Sequence, residues 1–145
     1  MTDDRAASVA SLFRAALLAT DLSQAPGNLP GFPAGCCSWA CYFIGAFLKE
    51  EMSLDPLRVQ GVRGPESHEW IEIGGLTMDI TSDQFQDIDA AIVVSRSSRW
   101  HETWTVEATR PVFPVARYDR VAKRGQRRPS DIYGDVCRRV RRGMA

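Results

Sequence analysis

A cysteine, a histidine and an aspartate occur here in the order that acyl transfer through a thiol requires. The cysteine lies in Phe32-Pro33-Ala34-Gly35-Cys36-Cys37-Ser38-Trp39-Ala40-Cys41. The histidine lies in Ser67-His68-Glu69-Trp70-Ile71-Glu72-Ile73, and the aspartate in Leu76-Thr77-Met78-Asp79-Ile80-Thr81. In such chemistry a thiolate attacks a carbonyl, an imidazole moves the protons, and a carboxylate fixes the tautomer of the imidazole. Cys36 and Cys37 follow a loop rich in proline and glycine and open an apolar helical pattern, so both sit at a helix start. Unpaired N–H groups and the helix dipole at that place favour a thiolate and suit a developing oxyanion.

The elements that must position these residues are legible from periodicity. Asp4 to Thr20 predicts a helix, with Val9, Leu12, Phe13, Ala16 and Leu17 at helical spacing. Ala25 to Gly35 is a loop. Cys36 to about Glu51 predicts a second helix, apolar on a wide face through Cys37, Cys41, Ile44 and Leu48 beside Ala40, Phe43 and Phe47. Strands are expected at Leu57–Val62, His68–Ile73, Leu76–Thr81, Ala91–Ser95, Thr103–Ala108 and Val115–Tyr118. A last helix, capped by Ser130 or Asp131, runs to about Arg142, with Ile132, Tyr133, Val136, Cys137 and Val140 inward. Helix, helix, antiparallel meander, helix is an α+β fold, expected as a single domain over residues 1–145.

Gly74-Gly75 between two alternating segments is a hairpin signal, because both turn positions accept positive φ. A two-residue turn there pairs Ile73 with Leu76, His68 with Thr81 and Trp70 with Asp79. His68 and Asp79 then share one face as diagonal neighbours, about 7–8 Å apart at the backbone and within side-chain reach. A slip of one residue would separate them onto opposite faces.

Gly35-Cys36-Cys37-Ser38-Trp39 resembles the Gly-x-Cys helix start of papain-like and transglutaminase-like enzymes. His68-Glu69-Trp70-Ile71-Glu72 followed by Met78-Asp79-Ile80-Thr81 is similar to the transglutaminase-core pattern His-x-Trp-x-Glu, then Asp-x-Thr. The resemblance spans roughly residues 30 to 85. It implies a papain-like or transglutaminase-core fold, with the nucleophile helix packed on an antiparallel sheet. It implies a catalytic triad of Cys37, His68 and Asp79, with Cys37 chosen over Cys36 by the Gly-x-Cys spacing. The implied activity is cysteine-dependent amide hydrolysis of a protein or peptide, as peptidase or deamidase, through a thioester. An amine in place of water would make the same site a transglutaminase or acyltransferase. An inactive scaffold would instead be an interaction module. Cys36, Trp39 and Trp70 adjoin the triad and are candidates for substrate binding, with core packing the competing role for Trp70. No glutamine precedes the cysteine at the papain-like distance, since Gln24 lies too far upstream.

Bulk properties narrow the classes. At 44% hydrophobic and 25% charged, the 145 residues have the balance of a globular protein with a core. No apolar run approaches the roughly 20 residues of a membrane span. Asp3 and Asp4 with no basic lead-in argue against a signal peptide. Three of the four cysteines, Cys36, Cys37 and Cys41, crowd together and leave Cys137 alone, a poor disulfide framework that fits a reducing cytoplasm. Cys36, Cys37, Cys41 and His68 number enough for zinc, but adjacent cysteines seldom share one tetrahedral ion, so no metal and no cofactor is expected. His101 has no orienting aspartate in a paired strand and reads as structural or surface.

Charge is unevenly placed. Residues 1–109 carry 7 Lys/Arg against 15 Asp/Glu, whereas residues 110–145 carry 11 against 3. The basic end, with Arg138, Arg139, Arg141 and Arg142, suits pairing within its own domain or an acidic partner. It lacks the aromatic interleaving of single-strand binders, so nucleic acid is disfavoured.

Overall fold

Thr2 begins the first helix, its hydroxyl accepting the Arg5 N–H at 3.2 Å. The computed structural model describes residues Met1–Ala145, and this helix, α1, spans Asp3–Ala19. Helix α2 spans Cys37–Glu50, and Lys49 in its last turn suits the negative end of the dipole. The remaining elements are β1 (Leu57–Arg63), β2 (Glu66–Ile73), β3 (Leu76–Asp79), β4 (Val93–Ser95), the short α3 (Arg99–Glu102), β5 (Thr105–Pro111) and α4 (Pro129–Met144). No helix is long and apolar enough to cross a membrane.

The result is an α+β fold: helices on one five-stranded antiparallel sheet of order β4-β3-β2-β1-β5, with a helix at the C-terminus. Strands β1 to β4 form the expected meander, but β5 returns across the sheet to pair with β1. Residues 115–118, expected as a strand, instead belong to a 3-10 helix over Val115–Val121. Pro111 and Pro114 lie just before this region, and neither can donate to a ladder leading into it. The last helix is not capped by Ser130 or Asp131. It starts at Pro129, where a missing N–H costs nothing, and Ser130 uses its N–H and hydroxyl on Asp119, at 2.8 and 2.6 Å.

Helix α2 is buried on nearly every side, which its apolar wrap anticipates. Phe43, Ile44, Phe47 and Leu48 enter the main core with Phe13 and Leu17 of α1, Ile132 and Val136 of α4, and Ile71 and Met78 of the sheet. Each such side chain contributes about 1.5–3 kcal/mol on burial. Gly45 lets the helix come close: a Cβ there would lie 2.8 Å from Val112 Cγ2 and 3.4 Å from Ile71 Cδ1. A second, smaller cluster joins Val59, Trp70 and Trp104, with Phe85 and Trp100 against it.

Gly61 lies opposite His68 in the β1–β2 register and marks the irregularity between β1 and β5. A Cβ on it would stand 2.7 Å from Trp70 Cη2 and 3.0 Å from Trp104 Cβ. Gly61→Ala is therefore expected to overpack this cluster and cost about 1–3 kcal/mol. Urea unfolding checks this, and a midpoint equal to wild type would remove the packing account.

Candidate active site

Asp79 is the anchor of the site. It ends β3, and the β2–β3 register, Ile73↔Leu76, Glu72↔Thr77 and Ile71↔Met78, is the one a two-residue Gly74-Gly75 turn dictates. Both glycines take positive φ. The alternation separates Ile71 and Ile73, which enter the helical core, from His68 and Trp70, which share the face of Asp79. His68 Nε2 donates to Asp79 Oδ2 at 2.6 Å. The other carboxylate oxygen accepts the Thr81 N–H at 2.9 Å. An aspartate two residues before its donor is the local turn that this side chain forms readily.

A second imidazole completes the anchor. His101 Nε2 donates to the same Oδ2 at 2.7 Å, and Ser98 Oγ lies 2.6 Å from His101 Nδ1. This corrects the expectation that His101 has no aspartate. The Ser98 hydroxyl also caps α3, so the cap and the orientation of His101 share one residue. No local sequence rule points to this contact, because no strand register relates α3 to β3.

Nδ1 of His68 is left for other partners. Cys37 and His68 line the same cleft. Burial pushes the His68 pKa down, but the Asp79 hydrogen bond and the neighbouring Cys37 thiol outweigh it and raise it to about 9. Cys37 Sγ makes no aligned hydrogen bond to the ring, whose Nδ1 has Gln84 Nε2 3.4 Å away. Asp79 is likewise pushed up by burial, yet its bonds from His101 and His68 hold it down at about 2.

The two adjacent cysteines take different roles. Cys37 is half-buried at the first position of α2. Cys36 is 0% exposed, and its thiol donates to Asn28 O at 3.0 Å. Burial first, and the nearby Cys37 second, raise the Cys36 pKa to about 11. Cys36 therefore does not line the cleft as a substrate contact, because its side chain faces the loop that precedes the helix. Trp39 is also turned away, packing on Tyr42, Phe43 and Tyr118. Trp70 is buried in the small aromatic cluster, its N–H held by Glu72 at 3.1 Å. None of these three expected substrate contacts lies in the cleft. Nor do Cys36, Cys37, Cys41 and His68 form a ligand group; His68, Asp79 and His101 converge instead, within 4.8 Å. Both imidazoles spend Nε2 on one carboxylate oxygen, so an ion there would have to break the hydrogen bonds that hold Asp79.

Gln84 was not anticipated. It closes a 3-10 turn over Ser82–Gln84, accepts the Gly35 N–H at 3.3 Å, donates to Thr81 O at 3.0 Å, and places Nε2 3.4 Å from His68 Nδ1. One amide thus ties the loop before α2 to the hairpin that carries His68. Over His68 lie Phe85, Trp100 and Trp104, with ring centroids 4.9, 5.7 and 5.7 Å away. The Arg63 guanidinium lies 4.4 Å from the Trp104 centroid and pairs with Asp87 at 2.8 Å.

The cleft has a volume of about 380 Å³. Its lining includes the buried Arg58–Glu69 pair, at 3.1 Å, and Arg58 also donates to Pro111 O. Pairing is what lets these two charges be buried; removing one partner typically costs about 3–5 kcal/mol. No family model, curated protein or solved structure matches the chain. Its chemistry is therefore read from these residues.

The shifted groups set a pH dependence. His68 is raised from an ordinary value near 6.5 to about 9, so its stabilising effect is complete below the first value and lost as pH rises through the second. Asp79, lowered from 3.8 to about 2, contributes fully above the first value and loses its effect as pH falls through the second. The urea midpoint of the wild type should fall between pH 6.5 and 9, and His68→Gln should flatten that window. A decline that survives in His68→Gln would assign it to another group.

Proposed function

We propose that the protein is a cysteine-dependent amide hydrolase acting on a protein or peptide, with Cys37 as nucleophile, His68 as acid and base, and Asp79 as the group that orients His68. The observation that carries this reading is the 2.6 Å bond from His68 Nε2 to Asp79, which leaves Nδ1, with Gln84 Nε2 3.4 Å away, to take up the thiol in the same cleft. A thiol at the start of α2, a histidine on β2 and an aspartate on β3 are the parts of a transglutaminase-like core, and the reading takes them in those roles.

The chemistry balances within these groups. His68 takes the thiol proton, and Cys37 Sγ attacks the amide carbon. The N–H groups that open α2 have no partner within the helix and stabilise the oxyanion. The intermediate collapses, the C–N bond breaks, and His68 passes its proton to the departing amine. Water, deprotonated by His68, attacks the thioester and releases the acid and the thiol. An amine in place of water would transfer the acyl group from the same thioester. Gln84 and His101 act as positioning residues, one through the Gly35 loop and the other through Asp79.

Iodoacetamide alkylation followed site by site by mass spectrometry, against pH, tests the reading. Cys37 is expected to react fastest near pH 6, and His68→Ala to slow it by about tenfold or more. Cys36, Cys41 and Cys137 should lag, because burial raises all three thiols. A hot Cys36, or no thiol faster than a free one, would overturn the assignment.

A further inference from the structure

The cleft carries more positive charge than amide hydrolysis uses. Arg58, Arg110, Arg117 and Arg120 line it against a single carboxylate, Glu69. Glu69 is already engaged by Arg58, the only salt bridge these arginines make. Arg110 meets only a neutral acceptor among the cleft side chains, the Gln60 amide oxygen at 2.6 Å. The Arg117 guanidinium lies 3.8 Å from the Phe113 centroid, so its cationic group is held in place without being neutralised. Arg120 completes the group from the same 3-10 helix as Arg117.

The basic excess of residues 110–145 is thus divided. On and just before α4 it is partly neutralised, by Arg141–Glu51 at 2.7 Å and Arg127–Asp135 at 2.8 Å. In the cleft it is left open, beside the thiol. Exposed guanidiniums converging on one hollow raise the local concentration of anions and bind carboxylates through two N–H groups at once. The aromatic faces nearby are already covered. Tyr42 and Tyr118 stack on each other at 4.1 Å, Arg58 covers Tyr42, and Arg117 covers Phe113. Much of the aromatic surface on which a nucleobase could stack is thus already taken.

We propose that the cleft selects an acidic peptide: a side-chain carboxylate next to the scissile amide is held by Arg110, Arg117 and Arg120 while the amide carbonyl meets Cys37. The inference rests on the hydrolase reading and names its substrate class. A carboxylate held there fixes the carbonyl over the thiol, so the arginines act on both affinity and orientation.

Two near-isosteric alkylators separate this claim from the reading beneath it. The rate of iodoacetate relative to iodoacetamide is measured at Cys37, with the urea-unfolded chain as reference. The ratio is expected to exceed the reference by about tenfold, to fall to it in about 0.5 M salt, and to fall likewise in the double variant Arg117→Gln, Arg120→Gln. Arg142→Gln, on α4, should keep the wild-type ratio. Fast iodoacetamide labelling with a reference ratio overturns the acidic substrate and leaves the hydrolase reading standing. Slow labelling of Cys37 by both reagents overturns the two together. Chloromethyl ketones of N-acetyl-glutamate, N-acetyl-glutamine and N-acetyl-phosphoserine then resolve the anion. Glutamate reacting about tenfold faster than glutamine supports the proposal, and phosphoserine outrunning glutamate overturns the carboxylate in favour of a phosphopeptide.

Discussion

A carboxylate buried among aromatic rings is the constraint on which the rest of this molecule turns. Asp79 is 2% exposed, and an unpaired charge at that depth would be untenable. Its donors are two imidazoles and, from Thr81, the backbone N–H and a longer contact from the hydroxyl at 3.5 Å. They belong to different pieces of chain: β2, α3 and the turn after β3. Satisfying one carboxylate therefore pins β2, the β4–β5 connection and the turn after β3 together. The same pairing raises the basicity of His68, so the bond that makes the buried charge tolerable also shifts the imidazole.

The start of α2 shows how neighbouring identical residues are separated by their surroundings. Cys36 is drawn into the loop by backbone carbonyls at Asn28 and Ala34, while Cys37 begins the helical turn and reaches the cleft. Asn28 returns a hydrogen bond to the Gly35 carbonyl, and Gln84 binds the Gly35 N–H, so the peptide before the cysteines is held on both sides. The helix itself is fixed by its apolar burial and by the missing side chain at Gly45. Position and chemistry of the thiol thus come from packing far along the helix as well as from contacts beside it.

Electrostatics divide the molecule along similar lines. Buried charges are paired, as in Arg58–Glu69, and so is much of the charge on α4. Arg110, Arg117 and Arg120, which make no salt bridge, line the cleft that also holds the Cys37 thiol. A surface charge without a partner costs little in water, and so it can be kept for a ligand without loss of stability.

Local pattern was enough to determine a good part of this protein. The period of the apolar residues set α1, α2 and α4 to within a residue or two. The Gly74-Gly75 turn determined the β2–β3 register and with it the shared face of His68 and Asp79, since side-chain parity in a hairpin follows from turn length alone. Contacts between segments with no such local rule were decided only in three dimensions. The return of β5 to β1, the approach of His101 to Asp79, the Gln84 bridge and the gathering of Arg110, Arg117 and Arg120 beside Cys37 all join residues distant in the chain. So does the failure of Trp39 and Trp70 to reach the cleft: each lies two residues from Cys37 or His68, but Trp39 packs on Tyr42, Phe43 and Tyr118, and Trp70 is taken up by the cluster with Val59 and Trp104. Periodicity and turn chemistry act over a few residues, whereas the pairing of a buried charge is settled by whichever donors the packed fold brings within hydrogen-bond distance.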